Sequence, residues 1–221
     1  MNESLATVAT VAALTALPLL LVASTSFVKL SIVFSVVRNA IGLGSVPSGL
    51  VISALAAILS VYVMAPVGAQ IAEATATPLG RLDPAHPFQG ESLQAILDTI
   101  KAGKEPLRAF LVRNAGAREL ALFLRLAKAG RPPAQRAGVV ANDLSIVMPG
   151  FLITELKEAF HIGFLVLLPF LVIDLVVASV LLSLGMNALG PAAVSLPFKL
   201  LLFVLVDGWY VLSEALVAGY A

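Results

Sequence analysis

Residues 151–209 read FLITELKEAFHIGFLVLLPFLVIDLVVASVLLSLGMNALGPAAVSLPFKLLLFVLVDGW, and this stretch decides the fold. It opens on charge at Glu155, Lys157 and Glu158 and is apolar from about 160 to 184. It turns through Gly185-Met186-Asn187-Ala188-Leu189-Gly190-Pro191, then runs apolar again from about 192 to 218. Each run supplies the roughly 20 apolar residues that a helix needs to cross hydrocarbon. A short Gly/Pro joint between two such helices folds them back antiparallel. Asp174, Lys199 and Asp207 stand alone inside the runs. An ionisable side chain in hydrocarbon is expensive, so each is expected to face protein or water.

The rest of the chain fits the same reading. Mean hydropathy is +0.99 over 221 residues and charged residues make up 12%, about half the usual share. Such a chain cannot cover its surface with polar groups, so lipid or partner subunits must cover it. A net charge of +1 gives no case for nucleic acid. With no cysteine, disulfides, thiolate metal sites and cysteine nucleophiles are excluded.

Two further apolar stretches, roughly 5–28 and 46–72, are joined by a segment holding Gly42, Gly44 and Pro47. The first ends in Ala23-Ser24-Thr25, as a signal peptide would. Its only early charge is Glu3, however, where a signal peptide is basic, so a retained hydrophobic helix is expected. The fold class is therefore an all-α membrane protein, with two kinked antiparallel helical hairpins flanking a small helical extramembrane domain. The boundaries are 1–72, 73–150 and 151–221.

The middle segment holds most of the basic residues and most of the prolines. Leu93, Ile96, Leu97 and Ile100 recur at helical spacing and predict one buried face. A second helix is expected from Pro106, a favoured first-turn residue, to Ala129 before Gly130. Lys29 and Arg38 flank the first hairpin turn and Lys199 follows the second. By the positive-inside rule these face the cytoplasm, leaving the middle domain and both termini outside. Pro18, Pro66, Pro169 and Pro197 are expected to kink the four apolar helices.

Asp174 and Lys199 are equidistant from the Met186–Asn187 turn. In a tight hairpin they lie at one depth, where a structural ion pair or contacts to other subunits would neutralise them. Direct handling of an ion is the alternative. Asp207 precedes Gly208-Trp209, a sequence suited to a membrane interface. Lys29 and Arg38 lie on different helix faces and are expected to snorkel. Glu155 and Glu158 share a helix face, but with no nucleophile or metal ligand beside them a solvated helix start, with Lys157, is expected. His161 lacks a second histidine at metal-binding spacing. Motifs for zinc hydrolysis, serine hydrolysis and nucleotide binding are missing, so neither an enzyme nor a cofactor is expected.

These residues resemble a known family. FLITELKEAFHIGFLVLLPFLVIDLVVASVLLSLGM followed by SLPFKLLLFVLVDGW is similar to the SctR/FliP/YscR family, export-apparatus proteins of type III secretion systems and flagella. SFVKLSIVFSVVRNAIG, VYVMAPV and PLRAFLVRNAGARELALFLRLA match its first hairpin, second helix and middle domain. The resemblance implies a pore subunit of the export gate, conducting unfolded polypeptides across the bacterial inner membrane. The missing basic start points to the injectisome branch. Implied partners are further copies of the chain (a pentamer), SctS-like and SctT-like subunits, an SctU-like switch protein, an SctV-like export ring and the secreted polypeptides. The assembly would be displaced toward the periplasm. The family also implies a methionine gasket at the second hairpin turn. Only Met186 matches it here; Asn187 and Ala188 depart, leaving Leu189 or partner subunits to complete the seal. A carrier for small solutes or ions, using Asp174 and Lys199, is the competing reading.

Overall fold

A computed structural model of the chain describes residues 15, 18–44, 46–83, 90–186 and 188–220. Their regular structure is entirely helical: α1 (Phe27–Ile41), α2 (Gly49–Leu79), α3 (Gly90–Asn114), α4 (Ala117–Ala129), a 3₁₀ turn (Pro133–Gly138), α5 (Leu144–Ser183), α6 (Pro191–Leu205) and α7 (Gly208–Ala218). Residues 18–23 are helical as well, and most of the expected helix over 5–28 lies outside the described residues. The chain is an all-α membrane protein. Helices α2 and α5 are each long and apolar enough to span a bilayer, and α6 with α7 makes a third such span if the bent pair counts as one. Only 11% of the most apolar window of α5 is buried within the chain, so lipid or other subunits must cover the rest.

Two compact units divide the chain, and both are discontinuous in sequence. One takes the described residues up to Ser26 together with Tyr62–Glu155; the other takes Phe27–Val61 and the chain from Leu156 onward.

The second unit is organised around α1. Leu30, Val33, Phe34, Val37, Ala40 and Ile41 recur at intervals of three and four, which puts them on one stripe of a helix. All are buried, packed with Ile52 and Ala56 of α2, Ala159 and Phe170 of α5, Phe203 of α6 and Leu212 and Leu216 of α7. Helices α1 and α5 cross closely at Gly163, where an added Cβ would lie 3.2–3.3 Å from three Val36 atoms.

The first unit holds the predicted middle-domain helices, with two corrections. Helix α3 continues through Pro106 and stops at Asn114, so the break falls at Gly116 rather than before Pro106. A tertiary bond explains the position: the Gly116 N–H donates to Thr154 Oγ1 at 2.8 Å, and the Thr154 hydroxyl donates to the Gly150 carbonyl at 2.8 Å. The second correction concerns the apolar face. Leu93, Leu97 and Ile100 are exposed, and the residues buried on that part of α3 are Ser92 and Ala95. Periodicity located an apolar stripe correctly, but a single chain leaves it uncovered. Phe110, Leu111, Ile146, Val147 and Phe151 are buried in this unit, and the Phe110 and Phe151 rings stand 5.8 Å apart.

Two expected helix landmarks also move. Helix α5 starts at Leu144, so Glu155, Lys157 and Glu158 lie a third of the way along it rather than at a solvated start. The last apolar run is broken at Val206-Asp207, where α6 and α7 meet at 57°, whereas Pro197 sits inside a continuous α6.

Candidate functional site

The tip of the C-terminal hairpin is built by α5 and α6. Helix α5 ends in a Schellman turn: Gly185 adopts φ +70°, its N–H donates to the Leu182 carbonyl at 3.1 Å, and the Met186 N–H reaches back to Leu181 at 2.9 Å. Glycine is needed at 185 because that left-handed backbone excludes most side chains. Met186 and Leu189 both project from the tip, 43% and 45% exposed. Asn187 lies outside the described residues.

Behind the tip the helices are braced by a polar cluster. Lys199 Nζ lies 2.6 Å from Asp174 Oδ2, and the Ser195 hydroxyl donates to Asp174 Oδ1 at 2.6 Å. Lys199 also donates to the Ala40 carbonyl at 3.2 Å. That carbonyl is in the last turn of α1, where helical geometry leaves four acceptors without intrahelical donors. A cation there also meets the negative end of the helix dipole. One ammonium therefore ties α1, α5 and α6 together. The structure thus brings Asp174 and Lys199 to one depth. Ser195, which the sequence reading missed, completes the carboxylate's bonding. It sits one helical turn before Lys199, and that i, i+4 spacing was the available signal.

A second buried cation lies elsewhere in the same unit. Lys29, expected to snorkel, is buried. Its Nζ stands 2.7 Å from Glu158 Oε2 and 4.2 Å from the centre of the Tyr220 ring. Snorkelling fails because the helix face bearing Lys29 packs inward and a carboxylate and an aromatic face await it there. Tyr220 was not singled out from sequence, although it stands four residues after Leu216 and eight after Leu212, in line with the buried stripe of α7. Arg38 is half-buried, with its guanidinium near Gly49. Glu155 is fully buried while Lys157 is exposed, so the Glu155/Glu158 pair is split between two environments. His161 is exposed. Asp207 is exposed in a left-handed conformation, φ +50°, at the α6–α7 break. Trp209 stacks edge-on against Phe203 at 5.1 Å and tilts toward Phe34 at 6.1 Å. Among the described residues no three His, Asp or Glu side chains gather as a metal ion would require.

Chemically, these groups hold helices; they do not converge on a pocket for a reacting small molecule. Two cavities of this unit are apolar clefts, one of about 420 Å³ beside Val176, Val180 and Phe198 and one of about 300 Å³ beside Pro169, Phe203 and Leu212. The long bare helices, the glycine-turned tip and the buried brace invite comparison with known membrane proteins. A family model described as the FliP family matches residues 10–216. The chain belongs to the FliP family. Among curated FliP-family relatives, the Yop proteins translocation protein R of Yersinia pestis is 42% identical over 94% of this chain and 92% of its own length. The hypersensitivity response secretion protein HrcR of Ralstonia nicotianae is 39% identical over 94% and 93%. The flagellar biosynthetic protein FliP of Pectobacterium carotovorum is 42% identical over 98% of this chain and 79% of its own length. Identity therefore does not separate the secretion and flagellar branches of the FliP family for this chain.

Proposed function

We propose that this chain is a pore-forming subunit of a bacterial protein-export gate, acting in type III secretion or its flagellar counterpart in the inner membrane. The observation that carries the reading is the C-terminal hairpin. Its two helices are pinned at one depth by Asp174, Ser195 and Lys199, and its glycine turn presents Met186 and Leu189 outward at the tip. Within a family whose relatives are named for translocation, secretion and flagellar biosynthesis, such a tip is suited to a constriction. Several copies, a pentamer in this reading, would bring their Met186 and Leu189 side chains into a ring. Methionine is unbranched and adaptable, so the ring could close on ions and still yield to a polypeptide.

The uncovered apolar surfaces support assembly with other subunits. Leu93, Leu97 and Ile100 on α3, together with the bare length of α5, offer the area that neighbours would cover. In this reading those neighbours are further copies and SctS-like and SctT-like subunits, with an SctU-like switch protein and an SctV-like ring beside them. Residues 73–150 form the extramembrane domain, and the assembly is displaced toward the periplasm.

Replacing Met186 and Leu189 together by glycine tests the constriction. The assembled gate should then leak small ions while secretion continues; an unchanged ion barrier would overturn the assignment. Native mass spectrometry of the purified chain with its small partners tests the assembly, and a monomer indifferent to them would sink it. The carrier reading rests on Asp174 and Lys199. Their bonds run to each other, to Ser195 and to a helix-end carbonyl, which is the pattern of a brace.

A further inference from the structure

Nothing covalent forces the break between α6 and α7. The intervening residues are Val206 and Asp207, and Pro197 lies well inside α6. The backbone nevertheless leaves the helix there. The Val206 N–H still bonds the Leu202 carbonyl at 3.1 Å, but the Asp207 N–H steps back three residues to Val204 at 3.1 Å. Asp207 then takes φ +50° and ψ +52°, the left-handed region that a non-glycine residue occupies under strain. Its side chain makes no capping bond to the start of α7. Regular α-helical bonding resumes with the Val211 N–H on the Asp207 carbonyl at 3.1 Å. Gly208, Trp209 and Tyr210 form the first turn of α7, whose N–H groups have no acceptor within that helix.

The bent form is therefore held by contacts outside the local backbone. Gly208 lies against the Phe203 ring so closely that a Cβ would overlap it. Trp209 packs edge-on against the same ring, and Leu212 and Leu216 enter the core. Beyond α7, Tyr220 lies over the Lys29 ammonium. The inside of the bend is not filled: an apolar cleft of about 300 Å³ opens there beside Pro169, Phe170, Val206 and Leu212.

We propose that Val206-Asp207-Gly208 is a two-state hinge, with α7 swinging between the bent arrangement and a continuation of α6, and that the Tyr220–Lys29 contact latches the bent state. Straightening relieves Asp207 of its left-handed backbone and joins α6 and α7 in one run of helical bonding. Bending keeps the aromatic stack and the latch. The opposing sets are local backbone on one side and tertiary packing on the other, the condition for a bistable element. The hinge is a property of this chain alone and stands or falls separately from the export reading.

The chain has no cysteine, so spin labels placed at Ala193 and Ala218, both exposed, are unique reporters. A continuous helix separates these positions by about 37 Å, from 1.5 Å per residue. The 57° bend shortens this to about 33 Å by the same geometry. Pulsed dipolar spectroscopy on the full chain in detergent should give a main population near the short distance with a long-distance shoulder. Asp207→Ala, which disfavours the left-handed backbone, and Tyr220→Leu, which removes the latch, should each enlarge the shoulder severalfold. Asp207→Gly should shrink it, since glycine adopts that backbone freely. Gly208→Ala should move the population to the long distance. If that variant does not fold, Asp207→Ala against Asp207→Gly decides alone, because the side chain at 207 is exposed. One unchanged short distance in both Asp207 variants would establish a rigid corner and overturn the hinge. So would a longer distance in Asp207→Gly than in Asp207→Ala.

Discussion

Removing Asp174 should harm this protein more than removing Lys199, and removing both should harm it least. The ammonium is 9% exposed, and after Asp174→Leu its remaining partner among the described residues is the Ala40 carbonyl. Stranding a buried charge in this way costs about 3–5 kcal/mol. Lys199→Met keeps the aliphatic stem and removes the charge. The carboxylate it leaves behind is 36% exposed and still accepts from Ser195, so the loss should be nearer 1–3 kcal/mol, the scale of a charged hydrogen bond. In the double variant Asp174→Leu/Lys199→Met no charge is stranded and apolar groups fill the space. Such replacements are often close to neutral, so the loss should be within about 2 kcal/mol. The double variant should then fall short of the summed single effects by at least about 2 kcal/mol. Equilibrium unfolding in detergent reads this through the chain's one tryptophan, Trp209, which stacks on Phe203 in the same unit. Additive losses, or a Lys199→Met variant less stable than Asp174→Leu, would refute a brace built on that ion pair.

Three other expectations follow from close contacts. Gly163→Leu should separate α1 from α5 and lower stability by about 1–3 kcal/mol, as overpacking does; Val36→Ala should restore part of it, measured by the same unfolding curve. Gly116→Ala places a Cβ on the Glu119 carboxylate and 3.2 Å from Thr154 Oγ1. It should loosen the α3–α4 corner by a similar amount, seen as faster amide exchange at 114–120 with little change in α6. Glu158→Gln should weaken the hold on Lys29 by roughly 1 kcal/mol and make stability less sensitive to salt, because half of that carboxylate faces solvent; a salt dependence unaltered by the change would count against the pair.

Where the sequence was legible, a local rule and the tertiary outcome agreed. Equal spacing of Asp174 and Lys199 about the Met186 turn places them at one depth in a tight antiparallel hairpin, and they meet at 2.6 Å. The stripe of α1 was open to the same rule, since helical spacing puts Leu30, Val33, Phe34 and Val37 together, yet a first hairpin of helices over 5–28 and 46–72 leaves most of Phe27–Ile41 in its joint, where the structure has a helix. Elsewhere a distant residue overrode the local signal. Pro106 carries the usual mark of a helix start, yet the break is set at Gly116 by the hydroxyl of Thr154, 38 residues away. The expected boundary at 150/151 likewise falls inside α5, which runs through Pro149 and Gly150 with Ile146, Val147 and Phe151 buried around them. The α6–α7 break has a local trace in Asp207-Gly208, a turn dipeptide, which the reading of this segment as a membrane-interface end passed over. Burial on α3 was misread for another reason: an apolar stripe declares that something covers it, not that the same chain does.

The contact from Lys199 to Ala40 has a consequence for biosynthesis. The two residues are 159 positions apart. At roughly 5–20 residues per second a ribosome needs about 8–30 s to travel between them. Throughout that interval α1 has been made, with its stripe of Leu30, Phe34 and Val37 and its end carbonyls, while the helices that complete its unit do not yet exist. A nascent chain in that state needs a temporary host for α1, whether bilayer, insertase or a neighbour already in place. Stalling translation before residue 199 and testing whether residues 27–41 resist alkaline extraction from the membrane would show which it uses.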